Sequence, residues 1–557
     1  MKKWQLKLSL LLIVVLSITS LASVATAQDT FMGLTAEQLF PGAQTDLERT
    51  TAMAALQAAG FPDATGRFAG QTLTVSVQQA GPRGGISGPY YFWREAFQAL
   101  TGATLDIIEI PQAQYYTTTA TDFLTGQNTY DVMNIGGWYM GDYVTNGWIQ
   151  PIDGYINTEG YPTWEPDQVA TPLYELLRWG GQTYAAVNDG DAQLLYFRKD
   201  ILESPEWQAA YEAEVGSPMP YPINTWQDLL AITTFFNGKD WNADGDPDDG
   251  ISLHLRSGGQ GHFHFVTVAA SFAITPAAGD NPRAVSKYDN VFWFDPEDMT
   301  ALANSPGHVA ALDYLVALTA TGSPSQVGWE LAEAWNNFLQ GNAIATFSWG
   351  DVGSLAQLPD RSVIQGKLGA GRIPCSTQWY DRETSTMMDD AANPNCVGNV
   401  TGGSWMPVMS ANTDTAELAY YFMAFHANRN INFWNSTAGW TGVDPSSLYQ
   451  LFPPRGTASV EDYAQYGFNA SDAEQYINAY GENLFSFPIT LPYLRIPGTE
   501  RYWNALDVRL AEVMSGQNQP QPALDQVATE WENVTNDIGR DLQLGVYQAA
   551  IGYTPGG

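Results

Sequence analysis

The sequence predicts an α/β protein built around a parallel sheet, and three observations predict it. One segment alternates apolar and polar residues as a strand does. The next repeats apolar residues at helical spacing. The two patterns then take turns, strand, helix, strand, helix, strand, from about residue 72 to residue 136. Parallel neighbours need a crossover between them, usually a helix, so this order implies helices packed on both faces of the sheet.

The first strand is QTLTVSVQQA, with Leu73, Val75 and Val77 on one face. A glycine-rich turn, GPRGGISGP, leads into YYFWREAFQALTG. There Trp93, Ala96, Phe97 and Leu100 fall at i, i+3, i+4 and i+7, and Gly102 is placed to end the helix. The strand ATLDIIEI, the helix QYYTTTATDFLTGQ and the strand YDVMNIGG follow. Ligands of open α/β sheets bind beyond the carboxyl ends of the strands. That rule puts residues 79–89 and 136–139 at any site.

The later chain reads as mostly helical. DTAELAYYFMAFHANR carries Leu418, Tyr421, Phe422 and Phe425 on one face, with Asp414 and Glu417 spaced as a capping box. WNALDVRLAEVMSG, ending at Gly516, and PALDQVATEWENVTNDIGR show the same period. No internal repeat and no low-complexity linker interrupts the chain, so its domains are expected to interweave.

The first 27 residues have a basic start, a short apolar run and an Ala25-Thr26-Ala27 site, the marks of a signal peptide removed on export. A membrane anchor would ask for a longer run. No cysteine follows it, so a lipid anchor is not expected. About 530 residues then remain, enough for two or more domains. Losing a leader with three lysines and no acid moves the net charge from −35 to −38. Nucleic-acid partners are excluded by that balance, because phosphate binding needs clustered Lys and Arg.

Two cysteines, Cys375 and Cys396, read as one disulfide in an exported chain, with two free thiols as the alternative. Closing that loop would stabilise the fold by about 3 kcal/mol in the chain-entropy picture. A metal or redox centre would need more cysteines or a C-x-x-C spacing. No G-x-S-x-G elbow, phosphate loop or H-E-x-x-H helix is present. His262 and His264 read as one strand face, structural or metal-binding. A glycosidase would need two opposed carboxylates roughly 5–10 Å apart, and with 59 acids the sequence leaves that open.

Several separated phrases resemble the extracellular solute-binding proteins of ABC importers, the carbohydrate-type family that includes maltose-binding protein. They are YDVMNIGGWYMGDYVTNGWIQPIDGYI, WGGQTYAAVNDGDAQLLYFRKDIL, YPINTWQDLL, AWNNFLQGNAIATFSWGDVGSLA, GGSWMPVMSANTDTAELAYYFMAF and MSGQNQPQPALDQVATEWE. In the second phrase Val187 and Asn188 stand where the family has its proline neighbourhood. The phrases fall in the family's order over roughly residues 70 to 550. The resemblance implies a periplasmic-binding-protein-like fold, two doubly wound α/β lobes joined by crossing hinge segments with a ligand cleft between them. The expected divisions are a signal peptide (1–27), a leader (28–69), lobe one (70–187 and 368–428) and lobe two (188–367 and 429–550).

It further implies a non-enzymatic receptor, monomeric, exported to the periplasm or the exterior. Such a receptor takes a sugar or polyol and hands it to the membrane permease of an ABC importer, with no cofactor required for transport. A secreted carbohydrate-active enzyme, or a receptor for another small solute, remains as the alternative. Sugar hydroxyls want planar acceptors and donors, and ring faces want Trp or Tyr. The nineteen tryptophans supply ring faces in surplus, for core or for ligand. The candidates are Gln79, Trp138 and Tyr139 at sheet ends and Asp189 and Asp191 at the hinge. Beyond them stand Trp349 and Asp351 past a later strand, Trp405 and Trp440 after glycine turns, and Arg495.

One stretch, KDWNADGDPDDGISLH, crowds its acids. Asp240, Asn242, Asp244, Gly245, Asp246 and Asp248 resemble the start of an EF-hand-type calcium loop, but Ile251 stands where the closing glutamate belongs. A structural calcium ion on the edge of lobe two is one reading and a solvated acidic hairpin the other.

Overall fold

A computed structural model describes residues 30–277, 283–485 and 493–555. The signal-peptide segment lies outside the described residues. No described helix is long and apolar enough to cross a membrane.

Eight strands form the two main sheets: β1 (Thr72–Gln78), β2 (Thr104–Ile110), β3 (Val132–Gly136), β4 (Leu194–Arg198), β5 (Asp249–Ile251), β6 (Ala343–Ser348), β7 (Leu368–Gly371) and β8 (Trp405–Met409). The first sheet runs β8-β3-β1-β2 and the second β7-β4-β6-β5. The predicted strand–helix alternation is the parallel centre of the first sheet, where β1 pairs in parallel with both β2 and β3. Its edge strand β8 is antiparallel to β3. The second sheet is mixed, with β4 antiparallel to β6 and β7 and β5 parallel to β6. Strands β3, β4, β6 and β8 are buried throughout, which is why they read as apolar runs without alternation.

The helix Arg94–Thr101 ends at Gly102 in the left-handed conformation, as its sequence predicts. The helix Ala416–Ala427 buries every residue from Leu418 to Ala427, so its predicted stripe is part of a helix wrapped on all sides. Its predicted capping box does not form. Thr415 takes the N-cap position without a side-chain bond, and Glu417 pairs with Arg67 at 2.9 Å.

The predicted divisions need three corrections. The leader is part of the first lobe from residue 30 onward. Thr45 caps the helix Asp46–Ala59 by accepting from the Glu48 amide at 3.1 Å. That helix lies against the helix Arg429–Thr437, where Trp434 donates to Thr51 at 3.0 Å. Residues 429–437 therefore belong with the first sheet: Trp434 stacks on Phe92 at 4.4 Å. Residues 368–371 belong to the second sheet as β7. The chain after β7 stays there, since Thr225 bridges to Cys375 and Asn395 donates to the carbonyls of Ser271 and Ile274.

Among the described residues, three segments thus cross between the lobes. The first lies between Ala185, which bridges to β8, and β4. The second lies between Asn399, bonded to the Gln193 amide, and β8. The third leaves the helix Arg429–Thr437, passes Asp444 and reaches the helix Ala470–Phe485, which packs on β7. Cys375 and Cys396 are joined in a disulfide on the second lobe. His262 and His264 sit on the helix His262–Ala273 instead of a strand, and His264 meets His254 at 3.0 Å in the interior.

Candidate functional site

A cavity of about 370 Å³ opens where the crossing segments meet the strand ends. Small-molecule sites start at about this size. One wall begins where β1 ends, at Gln78, Gln79 and Ala80; another begins where β6 runs into Trp349 and Asp351. Antiparallel pairing adds the starts of two more strands to the same rim. Trp405 faces Gly136 across β8 and β3, and Leu194 faces Ser348 across β4 and β6. Asp189 and Asp191, just ahead of β4, therefore arrive beside Trp349.

The carboxylates are held by backbone. Asp189 accepts from the amides of Gly190 at 2.7 Å, Asp444 at 2.9 Å and Trp405 at 3.2 Å. Asp444 accepts from the Gly350 amide at 2.7 Å. Trp349 donates its indole N–H to the Thr401 carbonyl at 2.7 Å. Gly402, with φ near +108°, lets that contact form, because a side chain there would strike the Trp349 ring 2.2 Å away. Oxygens of Asp189, Asp191 and Asp444 all lie within 4.8 Å of one another, and all three residues are buried.

Burial pushes the Asp189 carboxyl up to about 6 against the pull of its three amides. Asp351 is pushed to about 7 by burial and by the charge of Asp189. Asp191 and Asp444 are raised well above the ordinary range by burial and by their neighbours' charges. Burial and mutual repulsion thus favour the protonated form of these carboxyls.

Of the ten predicted ligand residues, the structure brings Gln79, Asp189, Asp191, Trp349, Asp351, Trp405 and Trp440 to this cavity. Trp138, Tyr139 and Arg495 lie elsewhere. Trp138 is edge-on behind Trp405 with ring centres 4.9 Å apart, a support for the wall. Tyr139 is buried among Tyr116 and Tyr143. Arg495 spends its guanidinium on the carbonyls of Glu175, Leu176 and Arg178 at 2.8–3.0 Å. A long cation near a turn reads the same in sequence whether it faces a ligand or a ring of carbonyls.

The sequence reading missed Gln78, Trp335 and Arg361 on the lining and Asp444 behind it, and it placed Arg83 at the site only as part of the segment 79–89. Trp335 lies on the helix Leu331–Leu339 and donates to Ser348 at 2.8 Å. Its signal was a tryptophan on an amphipathic helix just before β6. Arg83 lies over the Trp440 ring at 4.3 Å and pairs with Glu48 at 2.6 Å, while Trp440 donates to Glu48 at 3.1 Å. The leader helix therefore fixes one side of the cavity.

The acidic stretch lies away from this site, beside β5. Only Asp248 among Asp240, Asp244, Asp246 and Asp248 is buried; it accepts from the amides of Trp241 and Asn242 and from the Asn242 side chain, while the exposed Asp240 accepts from the Gly245 amide. Among the described residues, the three-acid grouping tight enough for one ion is Asp189, Asp191 and Asp444 instead.

Comparison with known proteins agrees with this architecture. The family described as bacterial extracellular solute-binding protein matches residues 93–446. A curated binding protein of Brucella abortus is 29% identical over 147 residues, 26% of this chain and 31% of its own length. The matched part thus spans about a third of that relative. A solute-binding protein of Agrobacterium radiobacter, solved with ribitol, is 20% identical with a TM-score of 0.60, covering 84% of this chain and 99% of its own. The maltose-bound MalE3 of T. maritima is 16% identical with a TM-score of 0.57, covering 83% and 99%. At these identities the solved structures establish the fold, two α/β lobes of the periplasmic-binding-protein type. The family match covers more than half of the chain, and the protein belongs to the bacterial extracellular solute-binding proteins.

Proposed function

We propose that the protein is the substrate-binding receptor of an ABC importer, capturing a carbohydrate or polyol between its lobes and delivering it to a membrane permease. The observation that carries this reading is the cavity itself, where carboxylates and tryptophan rings from both lobes meet at the crossing segments. Carboxylates accept from hydroxyls, and indole faces pack on the apolar side of a sugar ring. A ligand held by both lobes favours the closed arrangement by its differential affinity, and a permease can read that closure. Related structures solved with ribitol, D-mannitol and maltose support the ligand class.

The reading is of a receptor without catalysis. The buried acids gather within 4.8 Å on the hinge side, whereas a glycosidase sets its pair on opposite sides of the bond it cleaves. Export follows from the leader read in the sequence. Calcium in the loop 240–248 would be structural, and one feature favours it. Asp248 is buried and pushed up to about 6 by burial and by the charges of Asp244 and Asp240, a load that a cation would relieve.

The test is isothermal titration of the mature protein against mono- and disaccharides and polyols, with product analysis after overnight incubation. Saturable binding with intact ligand is the expected result. Turnover of a glycoside would favour the enzyme, and no binding by any sugar or polyol would move the receptor to another solute.

A further inference from the structure

The cavity contains three carboxylates, Asp189, Asp191 and Asp351, with Asp444 directly behind. Among the described residues none of the four has an ion-pair partner. The two cations on the lining do not answer them: Arg83 is taken by Glu48 and Trp440, and Arg361 is exposed. Asp191, 7% exposed and on the lining, bonds only to the neighbouring Asp189 carboxyl among the described residues, and Asp444 behind it takes the Gly350 amide and the Tyr480 hydroxyl. A neutral sugar would supply hydroxyl donors to this group and leave its raised carboxyls protonated. A cation would supply donors and also stabilise the ionised carboxylates, taking the place of those protons. The flanking indoles suit a cation as well, since their faces attract positive charge.

We propose that the ligand is a cationic carbohydrate, an amino sugar or amino polyol, whose ammonium group seats against Asp189 and Asp191 with Asp351 in reach, while Trp349, Trp405 and Trp440 flank its carbon skeleton. This rests on the receptor reading and narrows it. Arrival of the ammonium lowers the carboxyl pKa values, so binding near neutral pH releases protons from the acid group. The other titratable groups around it stay silent. Tyr90, Tyr196, Tyr476, Tyr480 and Tyr493 are pushed up by burial, and His254 and His264 are held neutral by it.

The experiment is calorimetric titration at pH 6.5, where both amines are present as ammonium ions, with D-glucosamine, D-glucose and N-acetyl-D-glucosamine, and with 1-amino-1-deoxysorbitol and sorbitol. Each is run in two buffers of different ionisation enthalpy. In at least one series the amine should bind at least tenfold more tightly than its neutral parent, with protons released. Asp351→Asn, at a partly exposed position that leaves the hinge bonds intact, should narrow that gap severalfold, and Asp191→Asn should narrow it further. A gap of less than tenfold in every series that binds overturns the proposal and leaves the receptor reading standing. So does stabilisation by calcium chloride alone that Asp191→Asn removes, which would make the acids a metal site. Failure of every compound to bind removes this proposal and the carbohydrate reading together.

Discussion

The carboxylate of Asp189 accepts the backbone amide of Asp444 at 2.9 Å, tying together two crossing segments 255 residues apart in the chain. The same side chain takes the Trp405 amide on the second crossing. One buried acid therefore touches the three hinge segments found among the described residues. Whatever moves at this junction on closure must move with it.

The close approach at that junction makes Gly190 hard to replace. A β-carbon there would lie 2.2 Å from the Pro445 carbonyl oxygen and 2.7 Å from Ser446. Both obstacles are backbone and cannot swing aside. Gly190→Ala should cost about 2–4 kcal/mol, in the range of overpacked and strained core sites, and should weaken ligand binding because the crossing segments separate. Chemical denaturation and titration of the purified variant check both effects; unchanged stability would mean the segments are not locked.

The acid group predicts a pH dependence of known sign. Asp351 is raised to about 7 in the fold against 3.8 when unfolded. Its contribution to stability is fully present below about pH 3.8 and is lost as the pH rises through 7. Asp351→Asn should therefore stabilise the unliganded protein above pH 7, by roughly 2 kcal/mol after allowance for coupling and partial exposure, and leave it unchanged near pH 4. The buried histidines act oppositely: His308 and His426 are lowered to about 3. The measurement is thus the difference in unfolding free energy between variant and wild type across the pH range, in which the histidine part cancels.

Two neighbouring tryptophans should separate binding from support. Trp405 lines the cavity and Trp138 stands behind it. Trp405→Ala should reduce ligand affinity at least tenfold, consistent with a loss of about 1.4 kcal/mol or more. Trp138→Ala should cost about 3–5 kcal/mol of stability as a large core deletion, with a smaller effect on affinity in whatever protein remains folded. Equal affinity losses at matched folding would show that the two rings act as one wall.

The acidic loop is tested by chelation. If calcium occupies residues 240–248, calcium chloride raises the melting temperature of metal-free protein and Asp248→Asn removes the rise, since an ion bound to the native state alone must stabilise it. The same titration on Asp191→Asn separates this loop from the hinge acids. A melting temperature indifferent to chelator would make the loop a hairpin closed by its own Asn242–Asp248 bond at 2.7 Å.

By itself the sequence determined what local chemistry determines. The alternation of Leu73, Val75 and Val77, the helical spacing from Trp93 to Leu100 and the stop at Gly102 reappear in the structure because neighbours a few residues apart set them. The family phrases carried the two-lobe fold, and residues beside strand ends, such as Asp189, Trp349 and Trp405, were legible because strand ends locate clefts. Tertiary structure alone decided the lobe boundaries, since β7 and the helix Arg429–Thr437 look like any strand and helix until their partners appear. It also decided which rings face the cavity. Trp138 and Trp405 both lie at the end of the first sheet, and only packing puts one in front of the other. Asp444 was invisible for the same reason. Its meaning comes from Asp189, and chain folding alone brings residues 255 apart within one hydrogen bond.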